Sequence, residues 1–175
     1  MNCYTQLDSP IGALTLCASG ETLSGLFMGT PTQRPEQAGH AFDPRAPVLR
    51  RAVQQLGEYF EGRRRRFELP LTFTGTPFQQ RVWRALTEIP FGVTWSYGQL
   101  ARHIGCPNGF RAVGLANGRN PLAVIVPCHR VIGSDGSLTG FGGGLPRKHW
   151  LLTHEGACPP PRSAAQVPLG FDARC

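Results

Sequence analysis

Between Thr76 and Gly118 the chain is punctuated so often that neither a long helix nor a wide sheet can form there. Thr76 is a capping residue and Pro77 suits the first position of a helix, which predicts a helix through FQQRVWRALTEI. Phe78, Val82, Trp83, Leu86 and Ile89 make its apolar face, and Pro90-Phe91-Gly92 stops it. Ser96 caps a second short helix, YGQLARHI, with Leu100, Ala101 and Ile104 inward. Pro107-Asn108-Gly109 then turns the chain into a third, FRAVGLANG. Two short helices joined by a tight turn have the dimensions of a helix-turn-helix. The third helix is small on its surface, with Ala112, Gly114, Ala116 and Gly118, so it can lie very close to a bulky neighbour. A DNA backbone fits that description, and so does a packed helix.

The preceding part reads as a small α/β unit. LDSPIGALTLCAS and TLSGLFMG suggest a pair of short strands, with Ser9-Pro10-Ile11-Gly12 and Ser19-Gly20-Glu21 as turns. Residues 29–46 are rich in Pro, Gly and polar residues and read as a long loop. Pro47 opens a helix through VLRRAVQQLGEYF, the Arg63–Arg66 run reads as a solvated turn, and FELPLTF as a returning strand. Thr74-Gly75-Thr76-Pro77 marks a boundary. The expected organisation is residues 1–75 as an N-terminal domain, 76–157 as a second domain, and 158–175 as a Pro-rich, loosely ordered tail.

Charge separates the two parts. Residues 1–75 carry eight Arg against seven acids, whereas residues 76–157 carry seven Arg and one Lys against three acids. The excess behind the net +7 therefore lies mainly in the second part, and an anionic partner is in keeping with it. Six cysteines are scattered without CxxC pairs, as expected of reduced thiols and not of a disulfide framework or a zinc site. The opening MNCYTQLDSPIG has no basic stretch followed by an apolar one, and no apolar run reaches membrane-spanning length. A cytoplasmic protein with no membrane association is expected, nucleoid-associated in a prokaryote.

After the third helix an apolar strand or extended run, LAVIV, delivers Pro127-Cys128-His129-Arg130. A helical turn beginning at Pro127 would place the Cys128 sulfur at a helix N-terminus and favour thiolate, with His129 as a neighbouring base. A buried structural cysteine beside a surface histidine would give the same dipeptide. A glycine-rich loop, GSDGSLTGFGGGLP, and a final helix, RKHWLLTHEG, follow.

Taken together, SYGQLARHIG, FRAVGLANG, GRNPLAVIVPCHRVIG and TGFGGGLPRKHWLLTHEG closely resemble the O6-alkylguanine-DNA alkyltransferases over roughly residues 76–156, and LDSPIG…LTL resembles that family's N-terminal part more weakly. The resemblance implies an α+β chain, with a small RNase-H-like α/β domain followed by a mostly helical, winged helix-turn-helix-like domain. It implies a single-turnover enzyme that needs no cofactor. Such an enzyme flips O6-alkylguanine out of duplex DNA and moves the alkyl group irreversibly to a cysteine. O4-alkylthymine stays open as a second substrate. Double-stranded DNA carrying the lesion would be the partner of a monomer, with cooperation along DNA left open.

By the same resemblance Cys128 is the alkyl acceptor, His129 its base through water, and Glu155 the group that orients and charge-balances His129. Asn120 is the hinge asparagine, and Tyr97 protonates the departing guanine. Arg111 is an arginine finger, set among Ala112, Gly114, Arg119 and Arg130 on the DNA face. Val131, Phe141, Gly142 and Lys148 belong to the alkylguanine pocket. Phe141-Gly142 stands where many relatives have Tyr followed by a small residue such as Ser, and three glycines follow Phe141, so a pocket tolerant of larger alkyl groups is expected. Cys3, Cys17 and His40 do not fall at the zinc positions of some relatives, and no metal is expected. His103, His149 and His154 read as helix-surface residues. A cysteine hydrolase and a DNA-binding regulator, or a non-catalytic lesion binder, are the rival readings. The first would turn over, and neither of the others would need Cys128.

Overall fold

A computed structural model describes residues 1–29 and 35–157. The described residues form a mixed α/β structure with a four-stranded sheet, a two-stranded one and five α-helices. Strands β1 (Asn2–Leu7), β2 (Leu14–Ser19) and β3 (Thr22–Met28) form an antiparallel meander. The first turn closes on Gly12, whose φ of +98° only glycine adopts readily and whose N–H donates to the Ser9 carbonyl at 2.9 Å. A short strand, β4 (Ala41–Phe42), adds parallel to β1, giving the order β3-β2-β1-β4.

Helix α1 (Pro47–Phe60) begins on its proline and lays Val48, Leu49, Ala52 and Leu56 over the sheet residues Leu14, Leu16, Leu23 and Leu26. All are buried; each of the Val and Leu side chains contributes about 1.5–3 kcal/mol. In the Arg63–Arg66 run, Arg63 pairs with Glu61 and Arg64 with Glu58, and the run stays at the surface.

Helices α2 (Pro77–Leu86) and α3 (Tyr97–His103) start where their caps predicted, and α4 (Phe110–Gly118) starts directly after the Pro107-Asn108-Gly109 turn. Thr76 with Gln79, and Ser96 with Gln99, form reciprocal capping boxes. The three helices pack together, and the Trp83 indole N–H donates to the Ala116 carbonyl at 2.8 Å in the interior. Strands β5 (Trp95–Ser96) and β6 (Val131–Ile132) pair in parallel, joining the start of α3 to the segment after Cys128. Helix α5 (Leu145–His154) closes the described chain. No helix among the described residues is long and apolar enough to cross a membrane.

Four elements differ from expectation. β1 and β4 add to the predicted pair of strands. The FELPLTF segment forms no strand and pairs its backbone with the sheet at a single bridge between Leu23 and Leu71. Pro70 within it has no N–H to donate, so a ladder cannot propagate. The LAVIV run is buried but is not a strand: it curls through turns, with Val124 at φ +71°, the Val126 N–H donating to the Leu122 carbonyl, and a bridge from Leu122 to Leu26. A short apolar run carries no period that separates these outcomes. Residues 30–34 of the predicted 29–46 loop, and the tail 158–175 with Cys158 and Cys175, lie outside the described residues.

Candidate active site

The curl of 121–126 exists because Asn120 holds both of its ends. Its side-chain carbonyl accepts from the Leu122 N–H at 3.0 Å and its amide donates to the Val126 carbonyl at 2.8 Å. Cys128 follows at the start of a three-residue 3-10 turn, Cys128–Arg130. This turn is too short to provide a helix-end charge, and burial of the sulfur raises the Cys128 pKa. The condition under which a helix end would favour thiolate at Cys128 is therefore not met. The groups that would favour ionisation are a hydrogen bond from Asn120, the charge of Lys148, and the backbone N–H groups of Cys128 and His129.

Cys128 is 4% exposed and lies in the wall of a cavity of about 350 Å³. Asn120, Asn117, Phe141, Gly142 and Gly143 line it, together with Leu26, Phe27 and Met28 of β3. The cavity is thus built from both parts of the chain. The Leu26 N–H donates to the Pro121 carbonyl at 2.8 Å, and Arg147 donates from Nε to the Ile11 carbonyl and from a terminal nitrogen to the Gly143 carbonyl. A Cβ at Gly143 would lie 2.5 Å from the Met28 methyl, so glycine lets the loop close down on β3. Of the predicted pocket residues, Phe141 and Gly142 line the cavity, whereas Val131 and Lys148 are buried beside it.

Behind the cysteine lies a buried ionic cluster. His129 Nε2 is 2.8 Å from Glu155 Oε1, and Glu155 follows directly after α5. The Tyr59 hydroxyl donates to the same oxygen at 2.7 Å, and Arg130 donates to both carboxylate oxygens at 2.8 and 3.0 Å. Burial alone would raise the Glu155 pKa, but hydrogen bonds from His129 and Arg130 outweigh it and hold the carboxyl below the usual range. Burial lowers the His129 pKa despite Glu155, which favours the neutral imidazole. A neutral ring that donates Nε2–H to Glu155 keeps Nδ1 as an acceptor, and Nδ1 is buried without a partner among the described residues.

Arg130 requires a correction. It was expected on the DNA face, but it is 6% exposed, and its third contact, to the Ile89 carbonyl at 2.6 Å, completes its engagement inside the protein. A buried carboxylate that balances a buried histidine needs such a partner. His154 is also not an ordinary surface residue: it is half-buried, Nε2 lies 2.7 Å from the Tyr59 carbonyl, and its ring stacks on Trp150.

Lys148 is fully buried and donates to the carbonyls of Val131 and Thr139 at 2.5 and 2.9 Å. Burial lowers its pKa to about 8, opposed by the nearby Cys128. The Tyr97 hydroxyl donates to the same Thr139 carbonyl at 2.8 Å, and burial raises its pKa. Tyr97 is half-buried and packs against Gly114, where a Cβ would stand 3.7 Å from the ring. On α4 the outward residues are Phe110, Arg111, Ala112, Leu115 and Gly118, with Arg119 just beyond. The structure thus gathers Cys128, Asn120, Phe141 and Gly142 around the cavity, with His129 and Glu155 paired in the buried cluster. It sets Arg111, Ala112 and Arg119 on an exposed face and withdraws Arg130 from it.

Two family profiles match this chain, the 6-O-methylguanine DNA methyltransferase ribonuclease-like domain over residues 2–73 and the DNA binding domain of the same family over residues 77–157. A methylated-DNA–protein-cysteine methyltransferase of Mycolicibacterium paratuberculosis is 53% identical over 152 residues, covering 87% of this chain and 91% of the relative. The chain belongs to the 6-O-methylguanine DNA methyltransferase family. The constitutive member of Bacillus subtilis is 44% identical over 145 residues, covering 82% of this chain and 88% of that one. The crystal structure of the Mycobacterium tuberculosis O6-methylguanine methyltransferase superimposes with a TM-score of 0.83 at 51% identity, covering 91% of this chain and 96% of the other. A structure of the Mycobacterium tuberculosis protein in complex with DNA gives 0.82 at 52% identity, covering 88% and 92%.

Sequence reasoning missed two residues of this candidate site. Tyr59 reaches Glu155 across 96 residues, and Asn117 donates to the Cys128 carbonyl at 3.3 Å from inside α4. Neither carries a local signal, although a polar Asn117 on the buried side of an apolar helix could have been flagged. Among the described residues no three His, Cys, Asp or Glu side chains are placed to hold a metal ion.

Proposed function

We propose that this chain repairs alkylated DNA by taking the alkyl group from O6-alkylguanine onto Cys128 in one irreversible step. The observation that carries the reading is the acceptor's position: a cysteine in the wall of a base-sized cavity, backed by a buried His129–Glu155 pair, in a family whose relatives are named for this chemistry.

O6 is shielded in a stacked duplex, so the nucleotide must leave the helix. Residues 1–75 act as an RNase-H-like scaffold, and α3 and α4 dock as a helix-turn-helix. Arg111 fills the space left by the base, and the small residues Ala112 and Gly114 let α4 approach the backbone, with Arg119 beside a phosphate. Cys128 loses its proton through water to Nδ1 of His129, and Glu155 stabilises the imidazolium. The thiolate attacks the alkyl carbon, forming the S–C bond as the O6–C bond breaks. Tyr97 protonates the guanine ring, so the thiol proton ends, in net terms, on guanine. Asn120 keeps the acceptor turn in register with α4. Phe141 walls the base, while the Gly142 N–H and the backbone at Cys128 and Val131 read its edge. Lys148 supplies positive charge beside the thiolate. A thioether has no easy return to thiol, so one molecule repairs one lesion, as a monomer in the cytoplasm and without a cofactor.

Intact-protein mass spectrometry after incubation with excess duplex carrying O6-methylguanine tests this. The expected result is a gain of one methyl group on Cys128, guanine restored, and no second turnover. Unmodified protein with unrepaired DNA would overturn it and leave lesion binding.

A further inference from the structure

Among the described residues six large apolar side chains are exposed, and two of them, Phe110 at 50% and Leu115 at 67%, stand on the nine-residue helix α4. A single exposed apolar residue is ordinary. The company these two keep is not. Phe110 directly precedes Arg111, and the Arg111 guanidinium carbon lies 5.9 Å from the centre of the Phe110 ring. Arg111, Leu115 and Arg119 follow one another at four-residue spacing and share a stripe, and the helix carries no acidic residue. Val113, Ala116 and Asn117 occupy the opposite, buried side. The outward face therefore offers cations and apolar surface together with no anion.

A duplex presents the complementary set, phosphates flanking the apolar faces of stacked bases. An acidic protein surface would complement the arginines but leave the exposed ring and Leu115 without apolar partners. Apolar side chains that enter a base step unstack and kink it, and they gain contact only once the step is open. An arginine held over an aromatic ring is also less free to wander than one in water.

We propose that Phe110 and Arg111 act as a paired wedge: the ring braces the guanidinium and occupies the flank of the opened base step. Phe110 is then a positioning residue for nucleotide extrusion and plays no part in alkyl transfer. This rests on the repair reading above and assigns its extrusion step a second residue.

The test compares single-turnover methylation of Cys128 from duplex O6-methylguanine and from the free base O6-methylguanine, which needs no extrusion. Phe110→Ala is expected to slow the duplex reaction by about tenfold or more while leaving the free-base reaction within about twofold, since one unstacked step is worth a few kcal/mol. Phe110→Trp, which keeps a flat apolar face, should restore most of the duplex rate. A 2-aminopurine beside the lesion should brighten on binding the wild type and brighten less with Phe110→Ala. Equal changes in the two reactions, or none in the duplex, would overturn the wedge, and so would loss of the duplex rate in Phe110→Trp. If wild-type protein takes no methyl group from either substrate, the repair reading itself falls, and the wedge with it.

Discussion

Cysteines are buried in both parts of this molecule, and the comparison between them shows what burial does not decide. Cys3 and Cys17 sit in the sheet, on the adjacent strands β1 and β2, and Cys128 sits in the wall of the cavity. Burial raises the pKa of all three, Cys17 to about 11. In the sheet the neighbouring side chains add to that rise, Asp43 at Cys3 and both Cys3 and Glu36 at Cys17, and only the N-terminal ammonium pulls Cys3 the other way. Around Cys128 every secondary influence runs the other way, from the Asn120 amide, the Lys148 charge and two backbone N–H groups. Access differs too, since only Cys128 of the three lines the cavity. What sets Cys128 apart from the sheet thiols is its surroundings, not its burial.

The sharpest break of this comparison exchanges the thiols. Cys128→Ser should abolish alkyl transfer altogether, whereas a Cys3→Ala, Cys17→Ala double variant should still take one methyl group from a methylated duplex, read by intact mass. Transfer onto Cys3 or Cys17 in the Cys128→Ser protein would show that burial in the sheet does not silence a thiol.

The next largest effect concerns the ionic cluster, which the sheet cysteines lack. Glu155→Gln leaves Arg130 buried without its counter-charge and should cost about 3–5 kcal/mol, measured by urea unfolding. The same carboxylate predicts an acid limb. Its folded pKa lies below the ordinary 4.5, so its contribution is present above pH 4.5 and disappears as pH falls below that value. Glu155→Gln should remove that limb, and an unchanged acid transition would disprove its assignment.

The smallest effect comes from Lys148. Its pKa drops on folding from 10.5 to about 8, so between those values the unfolded chain holds a proton that the folded one lacks. Stability contributed by this group therefore rises with pH across that window. The difference in unfolding free energy between wild type and Lys148→Met should shift toward the wild type by at most ~3 kcal/mol from pH 7.5 to 10.5. A flat difference would mean that the lysine is not held as a buried cation.

The helices were legible because their signals are local. Thr76 and Ser96 announce capping boxes, Pro47 and Pro77 stand at first positions, and glycine or proline ends what they begin. What stayed illegible depends on distant partners. Arg130 reads as surface charge until Glu155 is placed against it from 25 residues away, and Tyr59 reads as core until its hydroxyl finds the same carboxylate. The curl of 121–126 needs Asn120 on both ends, and its apolar letters alone serve a strand equally well. The His-Glu contact was expected from resemblance, not from spacing, since nothing in a 26-residue separation predicts 2.8 Å.

The wall that β3 lends to the cavity also sets how this protein can be rebuilt. Leu26, Phe27 and Met28 face Phe141, Gly142 and Gly143 across the cavity, and Gly143 owes its missing side chain to Met28. A chimera that grafts the second half onto a foreign sheet would import a different wall opposite Cys128, even with every residue of the transplanted half unchanged. In this chain the strand and the glycine loop are a matched set and must travel together.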